Sequence, residues 1–146
     1  NRKTEIFSSF IMKNKQKLRK SVNEIINFTK KNNIKLALAT STTINNVEAV
    51  FKSLSDQISK EDFHFIGNRS LVKYEKPNPE IYKLTLEKLN LEPDNCLAIE
   101  DTEESSKSAV SAGIKCIGFP GDYHSDDSFE MCIKKVKILD QSLFSL

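Results

Sequence analysis

The sequence lacks long apolar runs and has few of the residues that form disulfides or structural metal sites. No run approaches the ~20 apolar residues that a membrane span needs, so we expect no membrane-spanning segment. The three cysteines form an odd set, and Cys96 and Cys116 lie in apolar stretches where reduced, buried thiols are expected. This predicts a reducing compartment, the cytoplasm or a plastid stroma. The two histidines, His64 and His124, are isolated, and no spacing resembles a zinc site.

Charge of neither sign dominates the chain. Its 146 residues include 22 basic and 20 acidic side chains, for a net charge of +2. This even mixture argues against a dedicated nucleic-acid face, so we expect no nucleic acid and no membrane as a partner. A chain of this length forms one domain that buries roughly two thirds of its unfolded surface. It contains no internal repeat and no low-complexity linker.

Short apolar runs alternate with segments that have apolar residues at helical spacing. Strands are predicted at residues 34–39, 63–66, 96–99 and 115–119, with a weaker one at 136–139. Helices are predicted between them, the clearest at residues 102–112, ending at Gly113. Residues 2–12 read as the tail of a further helix. Strands separated by helices predict a doubly wound, Rossmann-like α/β fold, with a parallel sheet and helices on both faces.

The predicted strand at residues 96–99 is followed directly by two carboxylates, Glu100 and Asp101. A strand that is covered on both faces reads as a continuous apolar run, as this one does. Ligands of open α/β sheets collect beyond the carboxyl ends of such strands. Mg²⁺ prefers hard oxygen ligands, so Glu100 and Asp101 are candidate metal ligands.

Two other segments carry polar groups suited to the same site. The first strand ends on Thr40, Ser41 and Thr42, whose hydroxyls and following helix start could bind an anion. Lys76 lies in a loop that Pro77 and Pro79 stiffen, so its ammonium can be directed at a phosphate. Together with the acidic pair, these groups predict phosphoryl transfer, which depends on positioning and charge neutralisation.

Each of these signals also has an ordinary structural explanation. A cluster of hydroxyls after a strand commonly caps the next helix. A lysine before proline is usually solvated, and an acidic pair can belong to a turn with Thr102 as the helix cap. Their order along the chain, each beside a buried strand or a helix start, favours the site.

These segments resemble three motifs of the haloacid dehalogenase-like hydrolases, in the phosphatase and phosphomutase branch. The similar stretches are LALATSTT, EKPNPEIY and CLAIEDTEESSKSAVSAGIKCIGFP, and the resemblance covers about residues 18–120. It implies that Thr40 supplies the motif hydroxyl and that Lys76 is the phosphate-binding lysine. It also implies that Asp101, helped by Glu100, lies at a Mg²⁺ ion.

Within that family the chain is most similar to the CbbY-like sugar-phosphate phosphatases. The stretches LATSTTINNVEAV, KPNPEIYKLTLEKL and FPGDYHSDDSF carry this likeness. Members are associated with removing one phosphate from xylulose 1,5-bisphosphate, so the resemblance implies a phosphorylated sugar as the small-molecule partner. Two alternatives stay open: a phosphomutase of the β-phosphoglucomutase type, and a non-catalytic relic that binds phosphate.

Two departures from the family pattern affect the interpretation. Ser105 replaces a small glycine, and the first motif, Asp-x-Asp-Gly-Thr, is absent from all 146 residues. That motif supplies the aspartate nucleophile, and Asp122, Asp126 and Asp127 read as solvated loop residues that cannot replace it. The resemblance therefore implies that the nucleophile lies upstream and that this fragment alone is inactive.

The absent motif would also supply the central strand of the family's sheet. We therefore expect residues 17–146 to be a partial core domain, and residues 1–16 to be a remnant of a helical cap domain and its linker. The strands at residues 34–39 and 96–99 should then be separated by two strand spacings, roughly 9–10 Å, instead of pairing directly.

Overall fold

The structure is a computed structural model that describes residues 18–19, 21–121 and 124–146. The helix tail predicted at residues 2–12, and with it the proposed cap remnant at residues 1–16, lies outside the described residues. No helix within the described ranges combines the length and the apolar character that crossing a bilayer requires.

Strands and helices alternate along the described chain. The helices are α1 (Val22–Lys31), α2 (Ile44–Ser53), α3 (Glu80–Leu89) and α4 (Glu103–Ser111). The strands are β1 (Ala37–Ala39), β2 (Phe65–Gly67), β3 (Leu97–Glu100), β4 (Lys115–Gly118) and β5 (Lys134–Lys135). Short 3₁₀ turns occupy Lys60–Asp62, Arg69–Leu71, Pro93–Asn95 and Gln141–Ser145.

All strand pairs in the described chain are parallel, and they form two separate sheets. One sheet has the order β1-β2 and the other β3-β4-β5. Ala37 pairs with Phe65 in the first sheet, and Glu100 pairs with Gly118 in the second. The predicted parallel α/β class is confirmed. No ladder joins β1 to β3 within the residues that the structure describes.

Helices cover both faces of these sheets. On one face, α3 and α4 bury a cluster that includes Ala98 of β3 and Cys116 of β4. On the other face, Ile25 of α1 packs against Ile117, and a neighbouring cluster joins α1 and α2 to Leu38 of β1. Successive residues of a strand therefore pack against helices on opposite faces of the sheet. This explains why the strands read as continuous apolar runs.

The end of α4 matches its prediction. Gly113 has a φ of +86°, and its N–H donates to the carbonyl of Val110 at 2.9 Å. The next N–H, of Ile114, donates to the carbonyl of Ala109 at 3.1 Å. Glycine adopts this left-handed conformation without a Cβ penalty, which is why it ends the helix here.

The tail differs from the prediction of a strand at residues 136–139. The strand there is β5, at Lys134–Lys135, and both of its residues are exposed. Its ladder continues only to Val136, whose N–H donates to the carbonyl of Gly118 at 2.8 Å. The N–H of Leu139 instead donates to the hydroxyl of Ser21 at 2.7 Å, so the chain leaves the sheet.

Gly118 provides a test of how the tail packs on β4. A Cβ at this position would lie 2.6 Å from Cδ1 of Phe129, a side chain that is 2% exposed. Gly118→Ala is therefore expected to lower the free energy of unfolding by about 1–3 kcal/mol through overpacking. Urea unfolding followed by circular dichroism measures this loss.

Gly121→Ala is the matched control for that substitution, because a Cβ there would have no atom of the described residues within 4 Å. We expect it to change stability by less than about 0.5 kcal/mol. Equal losses for the two variants would show that contact with Phe129 is not what requires glycine at position 118.

Candidate functional site

A cavity of about 1460 Å³ lies between the two sheets. Its walls include Ala37 to Ala39 of β1 and Leu97 to Glu100 of β3, so both strands line it along their length. All six residues predicted for the site also line it, namely Thr40, Ser41, Thr42, Lys76, Glu100 and Asp101. The structure thus brings the three predicted segments to one cavity, while their chemical roles stay predictions.

Lys76 connects the ends of two strands at this cavity. Its Nζ donates to the carbonyl oxygen of Ala39, the last residue of β1, at 2.9 Å. It also donates to Oε1 of Glu100, the last residue of β3, in an ion pair whose side chains are 7% and 9% exposed. The carboxyl ends of β1 and β3 therefore meet around one ammonium.

Glu100 has a second buried partner that sequence reasoning missed. The hydroxyl of Tyr82, in the first turn of α3, donates to the same Oε1 atom. Burial, and then the charge of Glu100, raises the pKa of Tyr82 well above its ordinary value, so the phenol keeps its proton. One signal could have found it: a buried tyrosine on the inner face of a helix needs a partner for its hydroxyl.

The loop that carries Lys76 is anchored at both sides. Glu80, at the start of α3, accepts hydrogen bonds from the backbone N–H groups of Lys73 at 2.9 Å and Tyr74 at 2.8 Å. The buried hydroxyl of Ser108 on α4 donates to the carbonyl of Asn78 at 2.7 Å. These contacts fix the backbone on each side of Lys76.

The Glu80 contacts predict a pH dependence of stability. Hydrogen bonds from the N–H groups of Lys73 and then Tyr74 lower the pKa of Glu80 below its ordinary 4.5. Because the folded-state pKa is lowered, the stabilisation is present above pH 4.5 and is lost as the pH falls through the folded-state value. Glu80→Gln should therefore reduce the urea midpoint of unfolding at pH 7. The difference in midpoint between this variant and the wild type should become smaller as the pH falls below 4.5. A difference in midpoint that stays constant from pH 7 to pH 3 would show that the charge of Glu80 is not the source of the stabilisation.

In the hydroxyl cluster after β1, one residue caps the next helix and the others form the turn before it. Thr43 caps α2, because its hydroxyl accepts the N–H of Asn46 at 3.4 Å. Thr40 accepts the N–H of Thr42 at 3.2 Å, and Thr42 accepts the side-chain amide of Asn46 at 2.7 Å. The capping explanation therefore holds for Thr43, while Thr40, Ser41 and Thr42 shape the turn that faces the cavity.

The predicted metal ligands, Glu100 and Asp101, have the carboxylate oxygens that Mg²⁺ prefers, but two residues supply only part of its ligand set. Asp101 is exposed and lines the cavity, directly after the buried Glu100. Oxygen of an accessible carboxylate is the ligand type that Mg²⁺ prefers. No group of three or more His, Cys, Asp or Glu residues that could hold a metal occurs in the described ranges. The chain thus offers Asp101, with Glu100 beside it, and further ligands must come from elsewhere.

Two described acids beyond β4, Asp126 and Asp127, lie apart from this site, and Asp122 lies outside the described residues. Asp126 is exposed, and Oδ2 of Asp127 lies 3.1 Å from Nδ1 of His124. Neither aspartate is among the described residues that line the cavity. Their positions agree with the prediction that they are solvated loop residues.

The amino-acid sequence matches the model of a known protein family. The profile of the haloacid dehalogenase-like hydrolases matches residues 2–113. The chain belongs to this family. The resemblance found in the three motifs is thereby confirmed.

Three matches, two of sequence and one of structure, show what the chain is similar to. Protein CbbY of Cereibacter sphaeroides is 34% identical over 127 residues, which are 87% of this chain and 55% of that protein. A phosphorylated carbohydrates phosphatase of Thermotoga maritima is 37% identical over 115 residues, 79% of this chain and 50% of that protein.

The third is a solved structure. A mutant of CbbY from Rhodobacter sphaeroides, crystallised in complex with xylulose-(1,5)bisphosphate, has a TM-score of 0.85 and 32% identity to the chain. The similarity covers 92% of this chain and 60% of that one. The chain spans about half the length of the two curated relatives named above. The predicted likeness to the CbbY-like group is confirmed.

Proposed function

We propose that this chain is part of a Mg²⁺-dependent sugar-phosphate phosphatase whose aspartate nucleophile lies upstream. The observation that carries the proposal is the position of Lys76. Its ammonium bridges the carboxyl ends of β1 and β3 in a cavity that Thr40 and Asp101 also line. A fixed cation, hydroxyls and a carboxylate in one pocket are the parts that phosphoryl transfer requires.

Each of these residues has a distinct proposed role. The ammonium of Lys76 neutralises charge on the oxygens of the transferring phosphoryl group. Thr40, with Ser41 and Thr42 in the same turn before α2, binds those oxygens through their side-chain hydroxyls. Asp101, with Glu100 beside it, would hold Mg²⁺. When bound, the metal neutralises phosphate charge and orients the ester.

A phosphorylated sugar is the proposed substrate class. CbbY of Rhodobacter sphaeroides was crystallised with xylulose-(1,5)bisphosphate, and the Thermotoga maritima relative is named for phosphorylated carbohydrates. Xylulose 1,5-bisphosphate is therefore the first substrate to test.

The three cysteines are free thiols, which agrees with the reducing compartment that we propose, the cytoplasm or a plastid stroma.

The nucleophile is proposed to enter the cavity on a strand from an upstream segment. In the described chain β1 pairs only with β2, and β3 pairs only with β4. Both strands line one cavity along their length. One parallel strand between them would use their unpaired backbone groups and place its carboxyl end beside Lys76. On this proposal residues 17–146 are a partial core domain and residues 1–16 a cap remnant with its linker.

The experiment is to recover the upstream coding sequence and assay the full-length protein. We expect an Asp-x-Asp motif there and Mg²⁺-dependent release of phosphate from xylulose 1,5-bisphosphate, measured with a colorimetric phosphate assay. Asp101→Asn should raise the Mg²⁺ concentration for half-maximal activity by about tenfold or more. Asp126→Asn, at an exposed acid outside the cavity lining, is the matched control and should leave it unchanged.

The full-length protein also allows the two alternative functions, phosphomutase and phosphate-binding relic, to be tested. Isomerisation of a sugar phosphate without release of phosphate, followed by ³¹P NMR, would assign the protein to the mutases. An upstream sequence without Asp-x-Asp, together with no turnover, would support the phosphate-binding relic. Turnover by the 146-residue chain alone would overturn the upstream position of the nucleophile.

A further inference from the structure

Tyr82 contacts the buried ion pair at the site through both parts of its side chain. It is 8% exposed, and its hydroxyl donates to Oε1 of Glu100. The same oxygen accepts the ammonium of Lys76. The ring of Tyr82 lies below that ammonium, with 5.2 Å between Nζ and the ring centroid. No part of the proposed phosphate chemistry uses Tyr82.

The direction of the Lys76 ammonium depends on its acceptors. Lysine carries a point charge on a flexible stem, so the side chain does not direct its own charge. In the described part of the chain Nζ has two acceptors, the carbonyl of Ala39 and the carboxylate of Glu100. The carbonyl belongs to a strand and is fixed, whereas a carboxylate rotates readily about its last torsion. Whatever fixes the Glu100 carboxylate therefore fixes the ammonium.

The hydroxyl of Tyr82 is placed to do this. Tyr82 lies in the first turn of α3, and that helix is held against β1, β2 and α4. Glu100 ends β3, so the bond between them joins a helix to a strand of the other sheet. Both groups are buried, where a hydrogen bond to a charged acceptor is worth more than at the surface.

We infer that Tyr82 is a positioning residue that fixes Glu100 and thereby holds the ammonium of Lys76 at the phosphate site. This role rests on the proposed function, since it requires that Lys76 binds the transferring phosphoryl group. Tyr82 itself does not touch the substrate.

Tyr82→Phe tests the inference, because it keeps the ring and removes only the hydroxyl. In the full-length protein we expect kcat/KM to fall roughly tenfold or more, the effect of losing one buried hydrogen bond to a charged group. In a Lys76→Ala background the same substitution should cause little further loss, because Tyr82 acts through Lys76. An equal loss in both backgrounds would overturn the inference, as would no loss in the wild-type background.

Tyr74→Phe is the matched control in this double-mutant cycle. Tyr74 lies in the loop before Lys76 and is 54% exposed. Its hydroxyl forms no bond to Glu100 among the described contacts, so kcat/KM should stay within twofold of wild type. A tenfold loss for Tyr74→Phe would show that any tyrosine hydroxyl near the loop matters, and the specific role of Tyr82 would be rejected.

A second measurement needs no activity and separates this inference from the proposed function. The NH₃⁺ group of a buried, hydrogen-bonded lysine exchanges slowly and gives a ¹H–¹⁵N NMR signal, which Lys76→Ala would assign. In the 146-residue chain we expect Tyr82→Phe to broaden that signal or raise its exchange rate at least tenfold. An unchanged signal overturns the positioning role. A changed signal beside a full-length protein with no phosphatase activity would keep the link from Tyr82 through Glu100 to the ammonium, and would reject the proposed function.

Discussion

Replacing Lys76 with alanine in the full-length protein is expected to lower kcat/KM by roughly 10²- to 10³-fold, the loss seen when one preorganised charge stabiliser is removed. The reason is geometric, because its ammonium contacts the ends of both β1 and β3 at the cavity. Initial rates of phosphate release against substrate concentration measure the effect. Lys73→Ala, in the exposed part of the same loop, is the control and should stay near wild type.

The same substitution leaves Glu100 buried without its cation, so stability must be measured beside activity. Breaking a buried ion pair by removing one partner costs about 3–5 kcal/mol. The double variant Lys76→Ala/Glu100→Gln removes the unpaired charge and should recover most of that stability, but not the activity. Recovery of both would show that the fold, and not the ammonium, limits turnover. Full activity of the single variant would remove Lys76 from the mechanism.

Ile81→Ala is expected to lower the free energy of unfolding by about 2–5 kcal/mol, because it removes a buried side chain and leaves a cavity. Ile81 is 2% exposed and lies in the cluster that joins α3 to Ala98 of β3 and Ala109 of α4. Its Cδ1 would lie 2.8 Å from a Cβ on Gly67 of β2, so it also packs directly on the other sheet. Urea unfolding monitored by circular dichroism gives the free energy.

Ile138→Ala supplies the control for Ile81, since it is the same substitution at a side chain that is 52% exposed. We expect a change within about 0.5 kcal/mol. If both variants lose the same free energy, then the contacts of α3 with the two sheets do not set the stability of the protein.

Most helices could be predicted from the sequence, whereas the strand ends could not. Helical spacing of apolar residues, and the glycine after α4, are local signals that packing reinforces. The first predicted strand, residues 34–39, shortens to Ala37–Ala39, because only these residues pair with β2. β5 consists of Lys134 and Lys135 and was missed, because its pairing uses backbone groups and leaves both side chains exposed.

The candidate residues could be predicted to share one region because each lies beside a strand or a helix start that the sequence indicates. The structure places Thr40, Lys76 and Asp101 on one cavity, while the roles of these residues stay predictions. Tyr82 could not be predicted in the same way. It occupies an ordinary core position of a helix, and its partner, Glu100, is eighteen residues away in the sequence. Only the tertiary fold brings its hydroxyl to the carboxylate.

The separation of β1 from β3 also bears on how the 146-residue chain behaves in solution. Within the described residues, each of these strands presents a row of backbone donors and acceptors that no neighbouring strand uses. Half-buried apolar side chains, such as Leu38, Leu97 and Ile99, accompany these rows. Exposed strand edges of this kind adhere to one another and promote self-association. Solubility at high concentration should therefore improve whenever a strand occupies the space between them.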